Sequence, residues 1–187
     1  MTMTMAAQVA AGMAFGWIMA ELGMAAAQRG GEAGQDRGSF WRVGVFVGLG
    51  ALGAWLAAAF VGGARLPASV GWLGVGLMAF GIGLRYYAMG VLGREFSLRV
   101  RVRPDQRVVE TGPYRWLRHP AYSGGWLALV GAALTLHNWA AVLVMAGLAL
   151  VGFGQRIRVE EAVLTDIFGD RYRAYQQHTW RMFPFLY

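Results

Sequence analysis

The chain reads Gly112-Pro113-Tyr114-Arg115-Trp116-Leu117-Arg118-His119-Pro120-Ala121-Tyr122-Ser123-Gly124 where a polar loop meets an apolar segment. This stretch combines aromatic rings and arginines with a proline that biases His119 away from helical backbone geometry, so a turn is predicted there. The next polar cluster, Arg156-Ile157-Arg158-Val159-Glu160-Glu161, comes where the last apolar run ends. We predict that the two clusters lie on one side of a membrane and form a single catalytic site.

The composition is that of a membrane protein. Of the 187 residues, 57% are hydrophobic and only 14% are charged, and 28 are glycines, which is far more apolar than an ordinary soluble domain. The sequence contains no cysteine, which excludes disulfides and a cysteine nucleophile. The three histidines are isolated from one another, so no metal site is predicted.

Five apolar segments approach the roughly 20 residues that a membrane-spanning helix needs. They cover about residues 5–27, 43–64, 69–92, 122–136 and 139–154. The last two are short and flank His137-Asn138, as in a hairpin that crosses a thin region or does not fully cross. No basic region precedes the first segment, so we expect an uncleaved helix there rather than a signal peptide.

These segments predict an all-α integral membrane protein of about five transmembrane helices, with one domain over residues 1–187. Three helices occupy 1–92, and a catalytic loop, a helical hairpin and an amphipathic C-terminal helix occupy 93–187. The sequence does not specify the oligomeric state.

The net charge of +7 comes from arginine alone, since the chain has no lysine. With five spans, three, seven and five arginines fall on the side of the 29–42 loop, the 93–121 loop and the tail, and one falls opposite. The positive-inside rule therefore places the catalytic loop and the C-terminus in the cytoplasm. Orientation explains the basic charge, so no nucleic-acid partner is predicted. The alanine, glycine and arginine usage favours a bacterial inner membrane.

Two features inside the apolar segments concern packing. Gly12-x-x-x-Gly16 and Gly44-x-x-x-Gly48 match the small-residue spacing that lets helix backbones approach closely, so we predict helix contacts there. Arg85 and Glu21 are ionisable residues within the third and first spans, and we predict that they pair. Interfacial snorkelling is the alternative for this pair.

The polar clusters carry the residues suited to chemistry. Tyrosines next to the Arg118-His119-Pro120 turn offer flat faces and hydroxyl donors that suit a nucleotide-like group. Glu160 or Glu161 could bind an ammonium or accept a proton, while Arg156 or Arg158 holds an anionic substrate group. The alternatives are structural: Arg118 snorkels, His119 caps a helix, and Arg156 pairs with Glu160 four residues on.

In order and spacing, these motifs resemble the isoprenylcysteine carboxyl methyltransferase family and the related phospholipid methyltransferases. The shared elements are Gly112-Pro113-Tyr114, Arg118-His119-Pro120-x-Tyr122-x-Gly124, Arg156-x-x-x-Glu160-Glu161, Phe168-Gly169, Tyr172, Tyr175 and Arg181-x-x-Pro184. The resemblance covers about residues 90–187 and implies a membrane enzyme that uses S-adenosylmethionine to methylate a lipophilic or lipid acceptor. It implies cofactor-binding roles for Tyr114, His119, Pro120, Tyr122, Gly124 and Glu161, and acceptor-orienting, catalytic roles for Arg118, Arg156 and Glu160.

Two other functions stay open at this point. Membrane reductases of the sterol-reductase type share the Arg-His-Pro-x-Tyr-x-Gly element and a similar ending, and they would bind NADPH. A non-enzymatic scaffold or lipid-binding protein with a degenerate site is the third possibility. Within the methyltransferase hypothesis the acceptor is a carboxylate, a thiol or an amine, and the surplus of arginines favours an anionic group.

Overall fold

The computed structural model of the protein describes residues 4–27, 38–96 and 107–185. It contains helices and turns but no β-strand within those ranges. The helices are α1 (Met5–Ala27), α2 (Ser39–Phe60), α3 (Ser69–Leu92), α4 (Pro120–Leu134), α5 (Trp139–Phe168) and α6 (Asp170–Gln177). Short 3-10 turns lie at Gly62–Ala64, Gly93–Glu95 and Gly112–Arg115.

The all-α membrane fold is confirmed. Among the described residues, α1, α2, α3 and α5 are long and apolar enough to cross a membrane. The predicted 122–136 segment corresponds to α4, whose 15 residues extend about 22 Å, less than the roughly 30 Å of a hydrocarbon core. The 139–154 segment is the first half of α5, which continues without a break to Phe168.

The helices α1 to α5 run in alternate directions. Gly81 of α3 lies against Gly124 and Ala128 of α4, while Gly152 of α5 lies against Phe46 of α2. At one end of the molecule, the amide of Leu66 donates a 2.7 Å hydrogen bond to the carbonyl of His137, which joins the α2–α3 connection to the α4–α5 connection. The polar loop before α4 and the segment after α5 therefore lie together at the other end, which we call the arginine-rich end.

Glycines let α3 and α4 pack backbone against backbone. A Cβ atom added at Gly81 would lie 2.4 Å from the amide nitrogen of Ala128, and one added at Gly131 would lie 2.5 Å from that of Met78. Real Cβ atoms do not approach backbone this closely, so glycine is required at both positions. This contact fixes the angle and depth at which the N-terminus of α4 meets the polar loop.

The predicted contacts at the two Gly-x-x-x-Gly motifs of α1 and α2 are wrong within the described chain. A Cβ atom added at Gly12, Gly16, Gly44 or Gly48 would meet no atom within 4 Å. The spacing places two small residues on one helix face, but it does not say whether that face meets another helix or lipid.

The predicted pair of Glu21 and Arg85 is confirmed. Arg85 donates from Nε to Glu21 Oε1 at 2.6 Å and from Nη2 to Oε2 at 2.8 Å, a two-point ion pair between α1 and α3. Trp17 donates a third bond to the carboxylate at 3.0 Å. Arg85 also donates from Nη1 to the carbonyl of Ala121 at 3.2 Å, so the pair anchors the first turn of α4.

We expect Gly81→Ala to lower the thermal unfolding midpoint in detergent micelles, because the new methyl group forces α3 and α4 apart. Overpacking of this kind costs about 1–3 kcal/mol. Gly83→Ala, two residues away on α3 with open space around its Cβ position, is the matched control and should leave the midpoint unchanged or slightly raised. Equal midpoints for the two variants would contradict the close contact.

Candidate functional site

The polar loop reaches α4 through the turn that proline predicts. His119 has φ −128° and ψ 54°, outside the helical region, and Pro120 occupies the first turn of α4, where its missing amide hydrogen is not needed. The 3-10 turn Gly112–Arg115 begins at Gly112, whose φ of +57° favours glycine. The backbone conformations at Gly112, His119 and Pro120 therefore set the course of the loop at these two turns.

The C-terminal segment docks along this loop by backbone hydrogen bonds. The amides of Arg118 and His119 donate to the carbonyls of Trp180 and Arg181 at 2.7 and 2.9 Å. Ser123 of α4 adds a side-chain bond to the carbonyl of Met182 at 2.6 Å. The loop before α4 and the C-terminal segment, although far apart in the sequence, thus form one continuous surface of the candidate site.

Glu161 joins the loop, α5 and the C-terminal segment through one carboxylate. Its Oε1 accepts from Arg118 Nε at 2.8 Å and lies 3.3 Å from His119 Nε2, and its Oε2 accepts from Arg181 Nε at 2.9 Å. The Glu161 side chain is only 6% exposed. The predicted convergence of the Arg-His-Pro turn with the paired glutamates is confirmed.

Glu160 belongs to a second network on the adjacent face of α5. Tyr122 donates from its hydroxyl to Glu160 Oε2 at 2.8 Å and accepts from Arg156 Nε at 3.2 Å. The Arg156 guanidinium also donates to the Ser39 hydroxyl at the start of α2. The Tyr122 hydroxyl therefore connects Arg156 to Glu160, in keeping with a structural role for these two residues.

A cavity lies where these elements meet. The volume of this cavity is about 80 Å³, and about 510 Å³ of space lies between its lining atoms when the solvent at its open mouth is included. The lining residues come from the end of α3, the polar loop, α5 and α6: Leu92, Glu95, Arg107, Val108, Val109, Tyr114, Arg118, His119, Glu160, Leu164, Phe168, Tyr172 and Tyr175. Ligand pockets for small molecules typically measure about 300–1,000 Å³, so a ligand of nucleoside size has to extend from this cavity into its open mouth.

Of the residues predicted for the site, Tyr114, Arg118, His119 and Glu160 line this cavity. Arg118 also donates from Nη1 to the carbonyls of Gln176 and Thr179, so much of its guanidinium is used in hydrogen bonds within the protein.

The remaining predicted residues support the cavity from behind. Glu161 joins the loop before α4 to the C-terminal segment through Arg118 and Arg181. Tyr122, which accepts a hydrogen bond from Arg156, donates one to Glu160 and so positions it. Pro120 begins α4. Gly124 faces α3, where an added Cβ would lie 2.6 Å from the amide of Arg85. Helix packing therefore explains the glycine at 124, and its contact with a cofactor stays a prediction.

Sequence reasoning missed several lining residues. Leu164 follows Glu160 by four residues on α5, a helical spacing that could have identified it, and Phe168, four residues further, was noted only as part of a shared motif. Glu95 is an acid within the most basic segment of the chain, an unusual position that was the available signal. Its Oε2 atom is buried and has no hydrogen-bond partner among the described residues.

The cavity tyrosines are neutral at physiological pH. Burial raises the pKa of Tyr114, Tyr172 and Tyr175 well above the ordinary phenol value. The Tyr175 hydroxyl donates a 2.7 Å hydrogen bond to the carbonyl of Tyr114, which ties α6 to the loop. These side chains offer uncharged rings and hydroxyl groups to a ligand rather than phenolate bases.

A separate apolar groove of about 700 Å³ opens on the outer side of α4 and α5. It is lined by Trp126, Leu150, Val151, Gly154, Gln155, Arg158 and Phe183. The rings of Trp126 and Phe183 lie 5.0 Å apart, edge to face, and join α4 to the C-terminal segment. Among the described residues that line it, Arg158 is the charged one, at the end of the groove nearest Glu160 along α5.

Sequence comparison relates this chain to one family. The profile of the isoprenylcysteine carboxyl methyltransferase family matches residues 73–166. The chain is 32% identical over 118 residues to a protein-S-isoprenylcysteine O-methyltransferase of Dictyostelium discoideum, covering 62% of this chain and 50% of that protein. It is 34% identical over 105 residues to one of Schizosaccharomyces pombe, covering 55% and 44%.

Comparison of structures gives a related result. A solved eukaryotic intramembrane Ras methyltransferase, an isoprenylcysteine carboxyl methyltransferase, superposes with a TM-score of 0.62 and 25% sequence identity. The alignment covers 76% of this chain and 52% of that one. The chain therefore matches about half the length of these relatives.

Proposed function

Because the chain belongs to the isoprenylcysteine carboxyl methyltransferase family, we propose that it transfers a methyl group from S-adenosylmethionine to a lipophilic acceptor at the membrane face. The observation that carries this proposal is the cavity itself. The family motifs, which are far apart in the sequence, meet around it through the bonds of Glu161.

The chemistry of the cavity fits this cofactor. Leu92, Val109, Leu164 and Phe168 supply apolar surface for a purine, and Arg107 supplies a cation for the cofactor carboxylate. Glu160 supplies a carboxylate for an ammonium group. Tyr114 and His119 complete the wall towards α4. When bound, S-adenosylmethionine supplies a methyl group that its positive sulfur already activates.

The protein then has to align the acceptor and exclude water, which needs no metal and no covalent intermediate. We propose a carboxylate as the acceptor group. The relatives named above are O-methyltransferases, and an ionised carboxylate needs no base to remove a proton. The arginines around the cavity and the groove outnumber the glutamates, and this surplus favours an anionic acceptor. Glu160, held by Tyr122, would take a proton only from a neutral acceptor.

We propose that the hydrocarbon part of the acceptor occupies the apolar groove beside Trp126. The groove opens on the outer side of α4 and α5, where α5 is long and apolar enough to span a membrane. Arg158 at its end suits an anionic head group. This arrangement lets an acceptor remain in the bilayer while its polar end approaches the arginine-rich end.

We further propose that the arginine-rich end faces the cytoplasm of a bacterial inner membrane. The arginine distribution along the sequence supports the orientation, and the residue usage supports the source. Since the chain has no native cysteine, labelling of a single cysteine introduced at exposed Arg171 from either side of the membrane tests the orientation.

Isothermal titration of the purified protein with S-adenosylhomocysteine and with NADPH tests the cofactor. We expect the homocysteine compound to bind and NADPH not to bind, and labelled S-adenosylmethionine to transfer its methyl group to a lipid extract. Binding of NADPH but not of S-adenosylhomocysteine would contradict the methyltransferase proposal and favour a reductase of the sterol-reductase type. Cofactor binding without methyl transfer to any lipid would favour the scaffold.

Gly154→Leu tests the groove. A Cβ atom added at Gly154 meets no described atom within 4 Å, so the leucine side chain can start into the groove without displacing the backbone. We expect KM for the lipophilic acceptor to rise at least about tenfold, the effect of losing a little over 1 kcal/mol of binding, with unchanged binding of S-adenosylhomocysteine. Gly147→Leu, on an exposed face of α5 and equally unhindered, is the control. Equal KM values for the two variants would exclude the groove as the acceptor site.

A further inference from the structure

Glu95 stands at a turn that directs it into the cavity. It ends the 3-10 turn Gly93–Glu95, which follows α3 directly. Gly93 has φ +51°, a conformation that favours glycine, and the amide of Phe96 donates to the Gly93 carbonyl at 3.2 Å. This reversal at the end of α3 places the Glu95 side chain in the cavity wall together with Leu92.

The Glu95 carboxylate is incompletely satisfied, unlike its neighbours. Glu161 is bound to Arg118 and Arg181, and Glu160 accepts from Tyr122. The Oε2 atom of Glu95 is buried without a donor in the part of the chain that the structure describes. A buried acceptor without a partner lowers stability, so such an atom in a native fold calls for an explanation.

A ligand that donates hydrogen bonds supplies the explanation. An ionised carboxylate can only accept, so its partner must carry a hydroxyl, amino or ammonium group. Leu92, Val108 and Val109, which line the same cavity, are apolar and suit a purine nucleoside. Glu160 and His119 line the same cavity, and we assign them to the amino-acid half of the proposed cofactor.

We propose that Glu95 is a cofactor-binding residue that accepts hydrogen bonds from the ribose hydroxyls of the nucleoside. This inference rests on the proposed function, since it assigns a residue to the cofactor of that reaction. Glu95 then selects for a nucleoside with a free ribose diol. The protein without cofactor bears the energetic cost of an unpaired oxygen, which binding removes.

Titration of Glu95→Gln with two compounds tests the assignment. S-adenosylhomocysteine carries both the nucleoside and the amino-acid half, whereas 5′-methylthioadenosine carries only the nucleoside. Loss of a charge-assisted hydrogen bond should weaken both compounds by a similar factor of about 10 to 100. Asp166→Asn, an exposed acid on α5 outside the cavity, is the matched control and should bind both compounds as the unaltered protein does.

Thermal unfolding without ligand separates a binding role from a structural one. We expect the midpoint of Glu95→Gln to equal or exceed that of the unaltered protein, because the substitution removes an unsatisfied charge. A lowered midpoint would overturn the proposal in favour of a structural role.

The titration outcomes separate this proposal from the function on which it rests. Unchanged affinity of Glu95→Gln for both compounds would overturn the assignment of Glu95 while leaving the methyltransferase intact. Weakening for S-adenosylhomocysteine alone would move the contact to the ammonium group and overturn the ribose assignment. Failure of the unaltered protein to bind S-adenosylhomocysteine would overturn the proposed function and this inference together.

Discussion

The site depends on one buried carboxylate, that of Glu161, and the cations that surround it. Arg118 and His119 come from the loop before α4, Arg181 comes from the C-terminal segment, and Glu161 itself lies on α5. A buried charge is tolerated only when it is paired, and removal of one partner leaves the others uncompensated. The loop, the helix and the C-terminal segment therefore have to assemble together, and the cavity exists only where they do.

The same constraint operates on the other side of α4. Glu21 and Arg85 pair within the helical layer, and Arg85 reaches the carbonyl of Ala121. The start of α4 is thus held by one ion pair from α1 and α3 and by the Glu161 network from α5. Glycines at 81 and 131 bring α3 and α4 into backbone contact, which leaves little freedom for His119 and Tyr122 to move. The loop residues of the candidate site are positioned by both sets of contacts.

Hydropathy and motif order were enough to predict the helices, the shared end of the two polar clusters and the pairing of Glu21 with Arg85. These features follow from local composition or from the cost of isolated charge in a membrane. The Gly-x-x-x-Gly motifs misled because spacing does not identify the partner of a helix face, and the close contacts occur at Gly81 and Gly131 instead. Glu95 and Arg107 were missed because Glu95 lies in a short 3-10 turn and Arg107 lies outside any helix, where no helical period marks which side chains turn inward.

Hydrogen exchange of the backbone amides of Arg118 and His119 measures the dependence of the loop on Glu161 most directly. Both amides donate to the C-terminal segment, at Trp180 and Arg181. In Glu161→Gln we predict exchange at least about tenfold faster at both amides, the effect of losing a little over 1 kcal/mol of local stability. Exposed Asp166→Asn on the same helix should exchange like the unaltered protein. Unchanged protection of Arg118 and His119 in Glu161→Gln would contradict the account.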